Sequence, residues 1–400
     1  MGHEFSMERL DYLTSHLAGY VDDGRFPGCS CLVMRHGEEA YFRAFGERDV
    51  ERNLSMDRDT VVRIYSMSKP ITSVALMTLY EQGKFQLDDP VSKFIPSWSD
   101  LNVYESGDNE TMVTSPTGVP LTIKHLLTHT SGLTYGFMNS HPVDALYRKA
   151  SIGGERQGST LQHMINDLAA VPLTFTPGSR WNYSVATDVC GYLVQLFSDT
   201  DLDVFVRERI TQPLGMNDTG YQVQASSKDR FAACYRYKRG GGFELQDDPT
   251  TSSYHQRPSF FSGGGGMVAT IDDYGRFAQM LLNRGEFGGH RVLGRKTVEY
   301  MTTNHMPRNV DLAAMGQPVF SETSYHGVGF GLGFSVVLDP AAAGVLDSPG
   351  EFAWGGAAST YFWADPLEDM TVVFLTQLLP SSAHPIRREL KTLIYQAIAN

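Results

Sequence analysis

Val61-Val62-Arg63-Ile64-Tyr65-Ser66-Met67-Ser68-Lys69-Pro70-Ile71-Thr72-Ser73-Val74-Ala75-Leu76-Met77-Thr78-Leu79-Tyr80 is the stretch around which the chain is organised. Val61, Val62 and Ile64 read as the end of a buried strand, and Pro70 to Tyr80 as a helix that Gly83 ends. Ile71, Val74, Ala75, Met77, Thr78 and Leu79 make a wide apolar face, which suits a helix running through a core. Ser66 to Lys69 form the joint. Residues three apart share a helix face, so a helix opening at Ser66 returns the Lys69 ammonium to the Ser66 hydroxyl. Pro70 fits a first turn, where its missing N–H has no partner. A first-turn serine also has free backbone N–H groups and the positive end of the helix dipole around it, both favourable to an oxyanion. The plain alternative is an N-cap serine before a proline-led helix. Against it, this is the single Ser-x-x-Lys of the chain, and no Gly-x-Ser-x-Gly elbow competes with it.

A nucleophile and base need a third group, and the loop Pro177 to Ser184 offers Tyr183. A phenol has a pKa near ~10 in water. Beside a lysine ammonium its phenolate is favoured, so a Tyr and Lys pair can pass a serine proton between them near neutral pH. Alone, Tyr183 would read as a buried tyrosine bonded to a carbonyl. His125 and His129, four apart, lie on one helix face. Without an intervening Glu or an acidic third ligand they do not make a metal site, and no metal is expected. Gly263 to Gly266 permit close backbone approach but lack the strand and Lys of a phosphate loop; they read as a structural turn near the cleft.

The whole composition agrees with a soluble enzyme. The 400 residues are 42% hydrophobic and 20% charged, enough for two domains with a cleft. A net charge of −12 offers no basic field for phosphates, so nucleic acid and anionic membranes are not expected partners. Cys29, Cys31, Cys190 and Cys234 have no metal or disulfide spacing and read as reduced, buried thiols. The N-terminal segment is an amphipathic helix with Met7, Leu10, Leu13, Leu17 and Val21 on one face. It lacks the basic-then-apolar pattern of a signal region, so a cytoplasmic location is expected. Gly2 to Ser6 has no pattern of its own and reads either as native chain or as an expression scar before a native start at Met7.

Strands are expected at Gly28–Arg35 and Glu39–Phe45 around a His36-Gly37 turn. They are expected again at Gly329–Leu338, Glu351–Trp354, Thr360–Ala364 and Met370–Thr376, before a final helix Pro385–Ile398. Between them come a polar loop from Ser97 to Gly118, then a short helix opened by Thr122. Helices follow at Leu161–Ala170, Asp188–Phe197, Leu202–Ile210, Ile271–Leu282 and Val292–Met301, and a patternless loop His305–Tyr325 is a candidate flap. Sheet segments at both ends with helices between them imply an α+β protein: an α/β sandwich domain with a central antiparallel sheet flanked by helices, and an all-helical domain. Residues 1–96 with 285–400 would build the first and 97–284 the second, with the active site in the cleft between them.

Ser66-Met67-Ser68-Lys69, Tyr183-Ser184-Val185 and Trp354-Gly355-Gly356-Ala357 stand in the order and rough spacing of the serine β-lactamase and penicillin-binding-protein family. The chain most resembles its family VIII carboxylesterases, which are similar to class C β-lactamases. Leu126 to Leu133 and Ser262 to Met267 also resemble family segments, so the likeness spans nearly the whole chain. It implies a β-lactamase/transpeptidase-like fold, Ser66 as nucleophile, Lys69 and Tyr183 sharing base and acid roles, and an oxyanion hole from the N–H groups of Ser66 and Ala357. Substrate would meet Trp354, Gly355, Gly356 and Val185, and no cofactor is implied. Penicillin-recognising relatives carry Tyr-x-Asn and Lys-Thr-Gly, where this chain has Val185 and Trp354. A substrate carboxylate thus loses a charge-assisted contact, about 1.5–3 kcal/mol, while an apolar ester gains an aromatic wall. The expectation is a carboxylesterase acting on short, uncharged small-molecule esters. The alternative is a β-lactamase, D-alanyl carboxypeptidase-like hydrolase or acyltransferase using the same serine. A carboxylate-binding version needs another cation, for which Arg180 and Arg257 are the sequence candidates.

Overall fold

The computed structural model describes residues 5–153, 157–316 and 325–399. Helix α1 (Met7–Asp22), capped by the Ser6 hydroxyl, buries Leu10, Leu13, Leu17 and Tyr20, while Met7 is exposed. A hairpin follows, β1 (Gly28–Arg35) and β2 (Glu38–Asp49), and then the short β3 (Leu54–Ser55). The turn between β1 and β2 uses His36 and Gly37, both with positive φ.

Helix α2 (Ser68–Glu81) is buried at every position from Ser68 to Leu79, so it has no solvent face at all. It packs against α3 (Ala186–Ser198), while α4 (Ile271–Leu282) lies on the sheet. The last quarter supplies β4 (Val328–Phe330), β5 (Ser335–Val337), β6 (Phe352–Gly355), β7 (Tyr361–Asp365) and β8 (Met370–Thr376), then α5 (Ile386–Tyr395).

These strands form one eight-stranded antiparallel sheet in the order β4-β5-β6-β7-β8-β1-β2-β3. The two ends of the chain meet where β1 pairs with β8, in register from Cys29 opposite Thr376 to Arg35 opposite Met370. Alternation along the strands sorts the side chains. Cys31, Val33, Ala353, Trp363, Val372 and Phe374 face α1 and α5. Leu32, Trp354, Phe362, Val373 and Leu375 face α4 and the helical layer. This parity turns Trp354 toward the interior of the cleft side.

Several sequence expectations change. Gly329–Leu338 is not one strand but the β4–β5 hairpin, broken where a Cβ on Gly331 would lie 2.1 Å from the Met301 carbonyl. The polar stretch 97–118 holds a hairpin, Asn102–Ser106 with Val113–Pro116, which buries only Val103 and so lacks apolar alternation. The helix expected at Val292 begins only at Arg295, and Leu202–Ile210 turns from α-helix to a π turn after Val206. Val62–Arg63 pairs with Val268–Ala269 outside the central sheet. The helix Pro142–Lys149 and the hairpin Cys234–Tyr237 with Phe243–Asp247 were not expected. Two segments of 97–284 pack with the sheet part: α4 against β8, and Cys234–Tyr237 beside Leu378–Leu379. Residues 317–324 of the candidate flap, and Gly2 to Glu4, lie outside the described residues. Among the described residues no helix is long and apolar enough to cross a membrane.

Beneath the α5 side of the sheet, Lys391 donates to Glu351 at 2.6 and 2.7 Å and to Asp347, and the Tyr395 hydroxyl donates to Asp365 at 2.6 Å. Burial pushes the Glu351 carboxyl well above the usual range, and the Lys391 ammonium opposes that. Lys391→Met should therefore cost about 3–5 kcal/mol in urea unfolding at pH 8, because it strands buried carboxylates. With the cation gone, the native carboxyls hold protons more tightly than unfolded ones, so their penalty grows as pH rises. The loss should be smaller at pH 5.

Candidate active site

The turn Tyr65–Met67 is 3₁₀, and α2 starts at Ser68, so Ser66 precedes the helix rather than opening it. The three-residue spacing works all the same, because a 3₁₀ turn repeats every three residues. The turn is held from below. Ile64 N–H donates to the Met267 carbonyl at 3.1 Å, Met267 N–H to Ser68 Oγ at 3.1 Å, and the Tyr274 hydroxyl to the Met67 carbonyl at 2.9 Å.

Lys69 is 2% exposed, and its Nζ donates to Ser66 Oγ at 3.1 Å and to the Gly264 carbonyl at 2.6 Å. The ammonium also lies 4.4 Å from the centre of the Tyr183 ring. Burial pulls its pKa down to about 7, with Asp188 acting the other way. Tyr183 behaves differently from the sequence expectation. Burial raises its phenol above the ordinary value, against the Ser66 hydroxyl and the Trp354 indole, which favour the ionised form. Lys69 meets the ring face rather than the phenol oxygen, so the charge does not offset desolvation. Near neutral pH, Lys69 is the group that gives up its proton and Tyr183 remains a phenol.

Trp354, at the end of β6, is 8% exposed, and its ring centre lies 5.5 Å from that of Tyr183. The two glycines after it are required by close approach. A Cβ on Gly355 would lie 2.5 Å from the Arg387 guanidinium, and one on Gly356 would lie 2.4 Å from the Ile64 carbonyl. Gly356 thereby lets the end of β6 touch the segment leading into Ser66, which brings Ala357 beside the serine. Arg387 Nη2 donates to the Gly356 carbonyl at 2.8 Å and the Thr360 carbonyl at 3.1 Å.

Ser66, Tyr183, Trp354, Gly355, Gly356 and Ala357 line one cavity of about 480 Å³. Its walls include Phe137, Tyr325, Tyr361 and Leu379, so they are largely apolar and aromatic. Val185 does not reach it. That residue is fully buried in the core, and its N–H donates to the Thr134 carbonyl. Of the arginines, Arg257 is paired with Asp201 and Asp203, and neither it nor Arg180 lines the cavity. Arg387 and Arg236 do, through α5 and an edge hairpin that sequence reading did not bring to the site. Asp188 was also missed; a carboxylate inside the otherwise apolar first turns of α3 was its signal. The glycine turn proved closer to the chemistry than expected, since Gly264 bonds Lys69 directly. His129 Nδ1 meets Ser184 Oγ at 3.3 Å and His125 Nδ1 accepts from Thr122 N–H, so the two rings serve different partners. Among the described residues no three His, Cys, Asp or Glu side chains are grouped to hold a metal.

A family model described as Beta-lactamase matches residues 13–396. The chain belongs to the β-lactamase family. Protein Rv1367c of Mycobacterium tuberculosis is 36% identical over 375 residues, covering 93% of this chain and 90% of that protein. Esterase EstB of Burkholderia gladioli is 30% identical over 372 residues, covering 88% and 86%. Among solved structures, EstCE1, described as a hydrolase with promiscuous acyltransferase activity, has a TM-score of 0.80 at 28% identity and covers 98% of this chain and 99% of its own. The protein is thus a serine hydrolase of the β-lactamase fold.

Within this family member, contact between β6 and the serine turn is sterically tight. Gly356→Ala should push the two apart, since its Cβ would also fall 2.2 Å from Thr360 Oγ1. We expect kcat/KM to fall about tenfold or more with the far-UV circular dichroism spectrum unchanged, the cost of misplacing a reacting group.

Proposed function

We propose that the protein is a carboxylesterase of the family VIII type, cleaving short, uncharged small-molecule esters through an acyl-enzyme on Ser66. The observation that carries this reading is a buried lysine, its pKa pulled down to about 7, donating to a serine hydroxyl at the base of an aromatic-walled cavity. Neutral Lys69 takes the Ser66 proton as Oγ bonds to the ester carbonyl carbon. The N–H groups of Ser66 and Ala357 hold the oxyanion. As the carbon–oxygen bond to the alcohol breaks, the Tyr183 phenol, kept protonated by burial, gives its proton to the leaving alkoxide and regains one from the Lys69 ammonium. Water then repeats the cycle on the acyl group. Trp354, Gly355 and Gly356 face the substrate. In this reading the cleft runs between a part built from 1–96 with 285–400 and a part built from 97–284, with α4 and Cys234–Tyr237 of the second stretch packed on the first.

Uncharged esters are favoured because Trp354 supplies apolar area where a carboxylate-binding relative has a cation, and because Arg387 is engaged with the Gly356 and Thr360 carbonyls. Likeness to Esterase EstB and to the hydrolase EstCE1 supports ester cleavage over β-lactam cleavage. A cytoplasmic location fits four free, buried cysteines.

A phosphonate inhibitor should label Ser66 alone by mass spectrometry, and Ser66→Ala should abolish turnover; label elsewhere would sink the mechanism. For p-nitrophenyl butyrate, kcat/KM should rise with pH through about 7, as Lys69 loses its proton. That ester should also exceed nitrocefin, a chromogenic cephalosporin, by at least about a hundredfold, or about 2.7 kcal/mol in transition-state stabilisation. Comparable values for the two would overturn the esterase reading and point to Arg387 as a carboxylate site.

A further inference from the structure

Asp188 is the third residue of α3, 2% exposed, and its Oδ1 accepts from Ser262 Oγ at 2.7 Å and from Gly264 N–H at 3.0 Å. The carbonyl of the same Gly264 takes Lys69 Nζ at 2.6 Å. One glycine therefore bridges a buried carboxylate and a buried ammonium, giving its N–H to the first and its oxygen to the second. Only glycine fits, because a Cβ there would fall 2.8 Å from Asp188 Oδ2 and 3.1 Å from the Tyr135 hydroxyl. A carboxylate in a dry helix core is costly unless it is bonded and faces a cation. Here it has two donors and the Lys69 charge.

We propose that Asp188 is the positioning residue of the Ser66–Lys69 pair. Its carboxylate pins the Ser262–Gly266 turn where the Gly264 carbonyl aims Lys69 at the serine, and it provides the counter-charge that makes Lys69 a stronger base. Among the described residues the other groups facing Lys69 are uncharged. His129, from the segment after the helix Ile123–Leu127, is held neutral by burial and by Lys69 itself. Tyr135 and Tyr183 have phenols raised by burial. Ser66 comes from the lysine's own turn, and the sheet side presents the Trp354 indole. Asp188 is thus the group that opposes the loss of the Lys69 proton, and Lys69 reciprocally opposes protonation of Asp188.

The proposal rests on Ser66 and Lys69 being nucleophile and base, and its test separates the two. The pH profile of kcat/KM for p-nitrophenyl butyrate is measured from pH 5 to 9 for the wild type, Asp188→Asn and Ser262→Ala, with phosphonate labelling of Ser66 run in parallel. In Asp188→Asn the plateau should fall about tenfold or more, as expected for a weaker and misaimed base, while the acidic limb moves to lower pH by about one unit. Ser262→Ala removes a bond that favours the Asp188 carboxylate, so its limb should move the same way by less. A purely structural role would lower the plateau without moving either limb. An unmoved limb in a folded Asp188→Asn, or in Ser262→Ala should Asp188→Asn fail to fold, overturns the proposal. Absence of label on wild-type Ser66 would instead remove the mechanism on which it rests.

Discussion

A lysine ammonium taken out of water is the constraint on which the site depends. Lys69 belongs to a helix buried on every side, so it cannot reach solvent and must find its partners inside. It has a serine hydroxyl, a peptide carbonyl, the face of a phenol ring and, one peptide further, a carboxylate. These partners hold the ion in place without fully restoring its hydration, and the shortfall lowers its affinity for a proton to the range where it can act as a base. The same dryness raises Tyr183. One environment thus moves apart the proton affinities of two groups that are nearly equal in water.

The sheet serves this arrangement by closing the chain on itself. Pairing β1 with β8 joins the two termini, and the meander from β8 back to β6 carries Trp354 to Ala357 toward the start of α2. Alternation then decides which residues face the cleft. Trp354 does, Phe362 packs on Tyr274 of α4, and Ala353 and Trp363 pack under α1 and α5. Absence of a Cβ at Gly356 allows the final contact with Ile64.

The nature of the walls follows from what surrounds that contact. Phe137, Tyr325, Tyr361 and Trp354 give the cavity over Ser66 largely apolar walls, an arrangement that orients a small molecule by few polar groups while its remainder is desolvated. Arg387 belongs to the floor's support, since its guanidinium lies over Gly355 and bonds the carbonyls on either side of the β6–β7 turn.

Much of this was legible in the residues. Runs of small, β-branched and apolar residues bounded by turn and cap signals located β1, β8 and α4 to the residue, although β1 and β8 are buried on both faces and so do not alternate. The approach of Lys69 to Ser66 was legible in their three-residue spacing. The hairpin Asn102–Ser106 with Val113–Pro116 was not, since one buried residue, Val103, leaves no apolar rhythm. Nor was the place of Asp188, Gly264, Arg387 and Arg236, whose roles come from neighbours about 30 to 200 positions away in the chain. Val185, assigned to the substrate by motif, turned into the core. The sequence by itself determined which groups could react and which segments would be strands or helices, because those depend on residue type and local period. Only the tertiary structure decided which group loses its proton, since that depends on burial and on charges brought close by long-range packing.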